Sequence, residues 1–220
     1  MKRRHFVIAL TAGLASVPWV TPASAAPLSA DQLADQMQKF YDKTKTFQAT
    51  FKQRYWVEAY RKTKDSNGLV TFAKPGQMSW RYKNNGNRVV SDGKTIKVYE
   101  ADNKQMYLQP VGKSQYPAAL SFLIGGGNLR ETFRLKMLDA RSMGFEGGHV
   151  MMGIPKTPTP AYQKVFFYVD AGTYQVRRVL LLDAQRNRNR FDFVTPVVNK
   201  PVDKSEFQFT PPPGTRIIKP

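Results

Sequence analysis

From residue 47 onwards, apolar and polar residues alternate, which is the period of a half-buried β-strand. Phe47, Ala49, Phe51 and Tyr55 form the first such series, within a predicted strand over 47–57. Similar runs follow at 68–73, 77–82, 87–92, 95–100, 104–109, 131–138, 148–154, 162–169, 174–183, 189–194 and 206–209. Glycine, proline and asparagine clusters separate the runs and indicate short turns. The pattern predicts a mainly β fold of about 11–12 strands in an antiparallel sheet that curls into a barrel or half-barrel.

Before the strands, the apolar residues recur at helical spacing instead of alternating, which predicts one amphipathic helix. Ser29 and Gln32 have the spacing of a capping box, and the helix is expected to run to about Thr44. Its apolar residues recur at helical spacing: Leu33, Met37, Phe40 and Tyr41. We expect this helix to cover the open face of the sheet.

A second helix is predicted inside the strand series, over 113–124. Pro117 suits a first helical turn, and the glycines at 125–127 suit its end. The segment is apolar on all sides, so it needs cover from several neighbours. It is either a lid lying across the sheet over an apolar ligand or a plug of the core.

The first residues have the pattern of an export signal. Lys2, Arg3 and Arg4 precede the short apolar run Phe6–Leu14, and Ala23-Ser24-Ala25 is a cleavage site. We expect residues 1–25 to be removed and residues 26–220 to form a single domain. A retained anchor is the alternative, but the run is shorter than the roughly 20 residues of a membrane-spanning helix. The arginine pair leaves open whether export is by the twin-arginine or the general route.

The composition of the chain excludes several kinds of site and favours one kind of partner. The chain has no cysteine, which excludes disulfides, thiol catalysis, thiolate metal sites and the cysteine that carries a bacterial lipid anchor. Its net charge of +18 favours anionic surfaces such as phospholipid head groups or acidic partners. For an exported chain with scattered charges, nucleic acid is not the expected partner.

Residues that could perform chemistry are few. His149 is the single histidine after residue 25, and no metal-binding histidine pair, nucleophile elbow or phosphate-binding loop is present. Asp139 and Glu146 could still meet as a carboxylate pair. We predict a protein that is not an enzyme and needs no cofactor or metal.

Four motifs, in order along the chain, carry a resemblance to a known family. They are F-Q-A-T-F-K-Q at 47–53, K-P-G-Q-M-S-W at 74–80, V-S-D-G-K-T at 90–95 and F-Q-F-T-P-P-P-G at 207–214. Together they resemble LolA, the family of periplasmic carriers of outer-membrane lipoproteins. The related receptor family LolB is lipid-anchored through a cysteine, so this cysteine-free chain is more similar to the carrier.

The resemblance implies an incomplete antiparallel β-barrel with a lid of short α-helices over a hydrophobic cavity. It also implies a periplasmic, monomeric chaperone that takes acylated lipoproteins from a LolCDE-type inner-membrane transporter to a LolB-type receptor or to the outer membrane. Two alternatives remain: a carrier or sensor of another amphiphile on the same fold, such as a glycolipid or free lipid, and a periplasmic hydrolase on an unfamiliar barrel.

The resemblance also implies a lipid-binding cavity and lid. Lys74 stands where the family has a lid-latching arginine, and we expect it to bond backbone carbonyls of the lid; the alternative is a solvated turn residue. Lys97 stands where the family often has tryptophan, which implies a more polar wall there. The expected cavity and lid residues are Leu33, Met37, Phe40, Phe51, Lys74, Met78, Trp80, Leu120, Phe122, Leu123 and Ile124.

Three arginines form a basic series near the end of the strand region. Arg186, Arg188 and Arg190 are interpreted either as contacts to an acidic patch on the transporter or membrane lipid, or as charges that protect a strand edge from aggregation.

Overall fold

The computed structural model describes residues 27–111 and 127–219. Two α-helices and twelve β-strands make up its regular structure. In chain order they are α1 (Ala30–Asp42), β1 (Thr46–Val57), β2 (Lys62–Ala73), β3 (Gln77–Tyr82), β4 (Arg88–Asp92), β5 (Thr95–Glu100), β6 (Gln105–Pro110), α2 (Leu129–Thr132), β7 (Phe133–Leu138), β8 (Gly148–Pro155), β9 (Lys164–Asp170), β10 (Val176–Leu182), β11 (Arg188–Val198) and β12 (Arg216–Ile218).

All twelve strands belong to one sheet, in the order β12-β6-β5-β4-β3-β2-β1-β11-β10-β9-β8-β7. Neighbours are antiparallel except β12, which lies parallel to β6. Within the described ranges, β7 and β12 form the two edges and do not pair, so the sheet is curled but open. The predicted incomplete antiparallel barrel is confirmed.

The helix α1 lies on the inner face of the sheet. Ser29 caps it, with the Ser29 side chain accepting from the Gln32 amide and the Gln32 side chain accepting from the Ser29 amide. Leu33, Ala34, Met37 and Tyr41 on its apolar face are buried. The capping box and the apolar spacing therefore place this helix as predicted.

The C-terminal segment follows the outer face of the sheet, where the structure corrects a prediction. Residues 206–209 were expected to form a strand, but the chain makes a 3₁₀ turn at Lys204–Phe207 and then runs extended. Phe207 is buried beside β3 and β4, and the Phe209 ring lies 5.3 Å from that of Tyr99. The alternation of Phe207 and Phe209 thus reflects packing on top of the sheet, and the last strand is β12.

Two predicted segments lie outside the described residues. They are the export signal over 1–25 and the apolar helix over 113–124, which contains Leu120, Phe122, Leu123 and Ile124. Neither described helix has the length and apolar character that a membrane crossing requires.

Gly68 marks a close approach between β2 and its neighbours. A Cβ atom there would collide with the carbonyl oxygen of Arg81 on β3 and would lie 2.8 Å from Cε1 of Phe51 on β1. Only glycine leaves room for both neighbours at this point.

We therefore expect Gly68→Ala to lower the free energy of unfolding by about 3 kcal/mol, the upper part of the range for overpacked cores. Urea denaturation followed by circular dichroism would measure this change. Gly172→Ala is the matched control, because the nearest atom to its Cβ is Asp170 Oδ1 at 3.6 Å. Equal stability of the two variants would contradict the close approach.

Candidate functional site

Aromatic side chains from four strands meet on the inner face of the sheet. Their rings contact one another: Phe51 and Trp80 lie 5.0 Å apart, Trp80 and Phe191 5.3 Å, and Phe72 and Trp80 5.8 Å between centroids. Each strand contributes because alternate residues point inward. We call this set the aromatic cluster: Phe47, Phe51, Phe72, Trp80, Phe191 and Phe193.

The apolar face of α1 covers the aromatic cluster. Leu33, Met37 and Tyr41 have no exposed surface and belong to the same buried core. Three of the expected residues, Leu33, Met37 and Met78, are thereby brought together with the cluster, which itself contains the expected Phe51 and Trp80. All five are at most 1% exposed.

Phe40 lies at the margin of this core. It is half-buried, packs against the core and places its ring edge-on to Tyr41 at 4.9 Å. Phe40 therefore adjoins the buried core that α1 and the described strands form.

Lys74 lies just after β2 and binds the end of α1. Its Nζ donates to the backbone carbonyl of Tyr41 at 2.6 Å, and its amide donates to the Lys45 carbonyl at 2.9 Å. The last carbonyls of a helix lack intrahelical partners and carry partial negative charge, so an ammonium group is favoured there. The Lys74 side chain therefore links the wall of the sheet to the last turn of α1.

Tyr41 fastens the same turn of α1 to the opposite wall. Its hydroxyl oxygen accepts from the Val176 amide at the start of β10, at 3.0 Å. Burial raises the pKa of the Tyr41 phenol, so the group stays neutral at physiological pH. The Lys74 Nζ and the Val176 amide thus both donate to Tyr41 at the C-terminal end of α1, where Asn199 Nδ2 also donates to the Lys43 carbonyl at 3.4 Å.

The N-terminal end of α1 is held by exposed ion pairs. Arg130 of α2 lies 3.4 Å from Asp31 and 3.2 Å from Asp35, and all three side chains are roughly half exposed. Exposed pairs contribute little, typically below about 1 kcal/mol. The helix is therefore attached mainly by its apolar face and by the hydrogen bonds at its C-terminal end.

The Trp80 side chain places an unpaired hydrogen-bond donor in this interior. Its indole Nε1 is buried and makes no hydrogen bond with any residue in 27–111 or 127–219. Most buried polar groups are paired, and an unpaired one costs about 1–3 kcal/mol. The covered form of the interior thus contains a donor without an acceptor.

Lys97 does not line the interior, which corrects the expected polar wall. Its Nζ donates to the Phe209 carbonyl at 2.8 Å on the outer face. The neighbouring Ile96 points inward and is part of the buried core. Since side chains alternate along β5, Lys97 must point outward.

One of the two interpretations of the basic series, protection of a strand edge, does not hold for Arg188 and Arg190. β11 pairs with β1 on one side and β10 on the other, so Arg188 and Arg190 do not protect a sheet edge. Arg190 Nε lies 2.7 Å from Asp192, and Arg188 stacks over Trp56 at 5.2 Å. Arg186 is in the turn before β11.

The carboxylate pair that could have indicated hydrolysis is on the surface. Asp139 and Glu146 border the loop between β7 and β8. A hydrogen bond from the Ser142 amide lowers the pKa of Asp139, so this group remains a carboxylate and is a poor proton donor. Among the described residues, no three histidine or carboxylate side chains are grouped closely enough to hold a metal ion.

Sequence reasoning missed two parts of the site. Phe191 and Phe193 alternate within the predicted strand 189–194, and this signal could have added them to the interior set. The bond between Tyr41 and Val176 joins residues 135 positions apart and has no local signal.

Comparison with known proteins identifies the family. The family model described as outer membrane lipoprotein carrier protein LolA matches residues 42–210. The chain belongs to the LolA family. That match spans α1's last residue, β1–β11 and the tail over the outer face.

Two relatives agree with this assignment, and a solved structure matches the fold. An outer-membrane lipoprotein carrier protein of Nitrosomonas europaea is 25% identical over 226 residues, covering 100% of both chains. One of Bordetella pertussis is 27% identical over 216 residues, covering 97% of this chain and 99% of its own. The crystal structure of an uncharacterised conserved protein from Thermus thermophilus matches with a TM-score of 0.53 at 12% identity, over 87% of this chain and 99% of that one. It supports the fold alone.

The bond from Lys74 makes a prediction about α1. Lys74→Leu removes a charged donor from the helix end, so we expect the free energy of unfolding to fall by about 1.5–3 kcal/mol. Hydrogen exchange of the α1 amides should accelerate as well. Lys43→Leu is the matched control, because Lys43 is the exposed C-cap of the same helix. Unchanged exchange in Lys74→Leu would contradict the role of this bond.

Proposed function

We propose that this chain, without residues 1–25, is a monomeric periplasmic chaperone that binds the acyl chains of lipoproteins and carries them from the inner to the outer membrane. The observation that carries the proposal is the buried core that the aromatic cluster forms with the apolar face of α1. The names of its relatives in the LolA family support the same cargo. A LolCDE-type transporter would load the chain, and a LolB-type receptor or the outer membrane itself would receive the cargo.

The energetics of acyl chains explain why such an interior is needed. Each methylene kept out of water contributes about 0.8 kcal/mol, so one chain of about sixteen carbons resists transfer to water by roughly 13 kcal/mol. A lipoprotein therefore does not cross an aqueous compartment unaided. An apolar interior that shields its chains removes most of this barrier.

Release of the lipoprotein requires that a contact within the carrier competes with acyl-chain binding. When α1 leaves the aromatic cluster, Leu33 and Met37 lose their contacts, and an acyl chain takes their place. Closure of α1 then competes with the ligand, because both use the same apolar surface. The observed affinity is the intrinsic affinity reduced by the fraction of molecules in the open form.

The unpaired Trp80 donor fits this ligand class. Acyl chains of lipoproteins end in ester or amide carbonyls, which are hydrogen-bond acceptors. An acyl carbonyl reaching Trp80 Nε1 would satisfy a donor that the covered interior leaves unpaired. Binding and release in this scheme involve no covalent step, so the protein needs no catalytic residues.

The direct test uses inner-membrane vesicles that hold a labelled lipoprotein and the transporter, with ATP. We expect label to appear in a soluble complex when residues 26–220 are added and to stay in the vesicles when a non-binding protein is added. Label retained by the vesicles beside the folded protein would contradict lipoprotein carriage. Mass spectrometry of the purified protein would then identify the amphiphile it does bind.

The competition between α1 and the ligand predicts an effect of Lys74→Leu on lipid binding. Weakening closure by about 1.4 kcal/mol raises the open fraction about tenfold, so the variant should bind a soluble acylated peptide up to tenfold more tightly and release it more slowly. Fluorescence titration and a chase with unlabelled peptide would measure both. Lys43→Leu should bind like the unaltered protein, and weaker binding by Lys74→Leu would contradict the competition.

A further inference from the structure

Two hairpin turns adjoin at one end of the sheet. The turn between β1 and β2 and the turn between β10 and β11 are joined by the Glu58 amide, which donates to Asn187 Oδ1 at 2.9 Å. Beside this junction Tyr60 is 75% exposed, the most exposed of the large apolar side chains described. We define the hairpin rim by its exposed residues: Tyr60, Arg61, Lys62, Lys64 and Arg186.

The carboxylates near the hairpin rim are already engaged. Glu58 accepts from Trp56 Nε1 at 2.6 Å and lies 3.9 Å from Arg188. Asp65 lies 2.9 Å from Arg54, and this contact lowers the pKa of the Asp65 carboxyl. These acids are therefore not free to neutralise the rim.

Asp183 is likewise used inside its own turn. Its two carboxylate oxygens accept from the Asn187 amide at 2.8 Å and from Asn187 Nδ2 at 2.9 Å. The negative charge at this end of the sheet thus serves to shape the turns.

The cations of the rim are free by contrast. Within the two described stretches, the side chains of Arg61, Lys62, Lys64 and Arg186 make no hydrogen bond and no ion pair. The rim therefore presents four unmatched positive charges around one exposed aromatic ring.

The backbone adds an independent observation. Arg61 and Arg186 occupy the tips of their turns with φ of 50° and 66°. This left-handed region suits glycine or asparagine better than arginine. Both turns thus hold arginine at a position where glycine or asparagine would cost less, which is expected if the arginine side chain has a use.

We infer that the hairpin rim binds the surface of anionic phospholipid membranes. Basic side chains are attracted to anionic head groups within about a Debye length of the surface, and tyrosine rings favour the boundary between head groups and acyl chains. This binding goes beyond cargo carriage, because it involves none of the residues of the aromatic cluster.

Co-sedimentation of residues 26–220 with protein-free vesicles tests the inference. We expect binding to vesicles rich in phosphatidylglycerol, at least tenfold weaker binding to pure phosphatidylcholine, and loss of binding at high salt. Because neither lipoprotein nor transporter is present, the result does not depend on the proposed carrier function. Equal binding to both vesicle types would overturn the inference.

Two variants that each lose four positive charges test whether membrane binding belongs to the hairpin rim. Replacing Arg61, Lys62, Lys64 and Arg186 by glutamine should weaken binding to anionic vesicles by at least tenfold. The control replaces four exposed cations elsewhere with glutamine, at Lys43, Arg134, Lys136 and Lys204, and should bind within about twofold of the unaltered protein. Since all eight side chains are exposed, circular dichroism should show both variants folded. Equal loss in the two variants would mean that net charge alone acts and would contradict a defined rim.

Tyr60→Ser separates the ring from the charges. We expect it to weaken binding about threefold while leaving the salt dependence unchanged. Full affinity in this variant, together with full affinity in the glutamine variant of the rim, would assign membrane binding to another surface and overturn the inference.

Discussion

The packing of α1 against the aromatic cluster is the interaction on which the rest of the structure depends. Leu33, Met37 and Tyr41 fill the interior that the open sheet would otherwise expose to water. Removing them would uncover rings from four strands, an apolar surface that an isolated soluble protein does not tolerate for long. In the proposed function an acyl chain binds the same surface. Stability of the empty protein and affinity for its cargo then arise from one set of side chains and oppose each other.

The outer face of the sheet is covered by the C-terminal segment. This segment buries Phe207 against β3 and β4, and Lys97 and Tyr99 hold Phe209 over β5. β12 then adds a strand beyond β6. These contacts do not involve α1, so in the proposed function α1 moves without displacing the C-terminal segment.

Much of the fold could be predicted because alternation and capping are local signals. The strands β1 to β11 and the helix α1 follow from patterns within a few residues of each other. The alternation of apolar and polar residues wrongly predicts a strand where two phenylalanines pack on the sheet but their segment does not pair with a strand, as at Phe207 and Phe209. It also does not say which face is inner. Lys97 was placed on the wrong side because the resemblance aligned it with a tryptophan of the family. The assignment of Arg188 and Arg190 to an edge failed similarly, since strand order is a property of the whole sheet.

The apolar part of the site was predicted, and its polar part was predicted only at Lys74. Phe51, Met78 and Trp80 were expected in the interior from their motifs, and burial in one core agrees with that placement. Lys74 was expected to bond backbone carbonyls of the lid, and its Nζ donates to a helix carbonyl, that of Tyr41 in α1. The bond from the Val176 amide to Tyr41 joins distant residues through a backbone group, so no side-chain pattern reveals it.

The central claim that follows is that acyl chains enter the space α1 covers. It can be measured with Trp56→Phe, which leaves Trp80 as the single tryptophan of residues 26–220. Bromine quenches tryptophan fluorescence only at short range. Adding a lipopeptide brominated along its acyl chain should quench Trp80, whereas bound lipopeptide with unchanged Trp80 emission would show that the chains lie elsewhere.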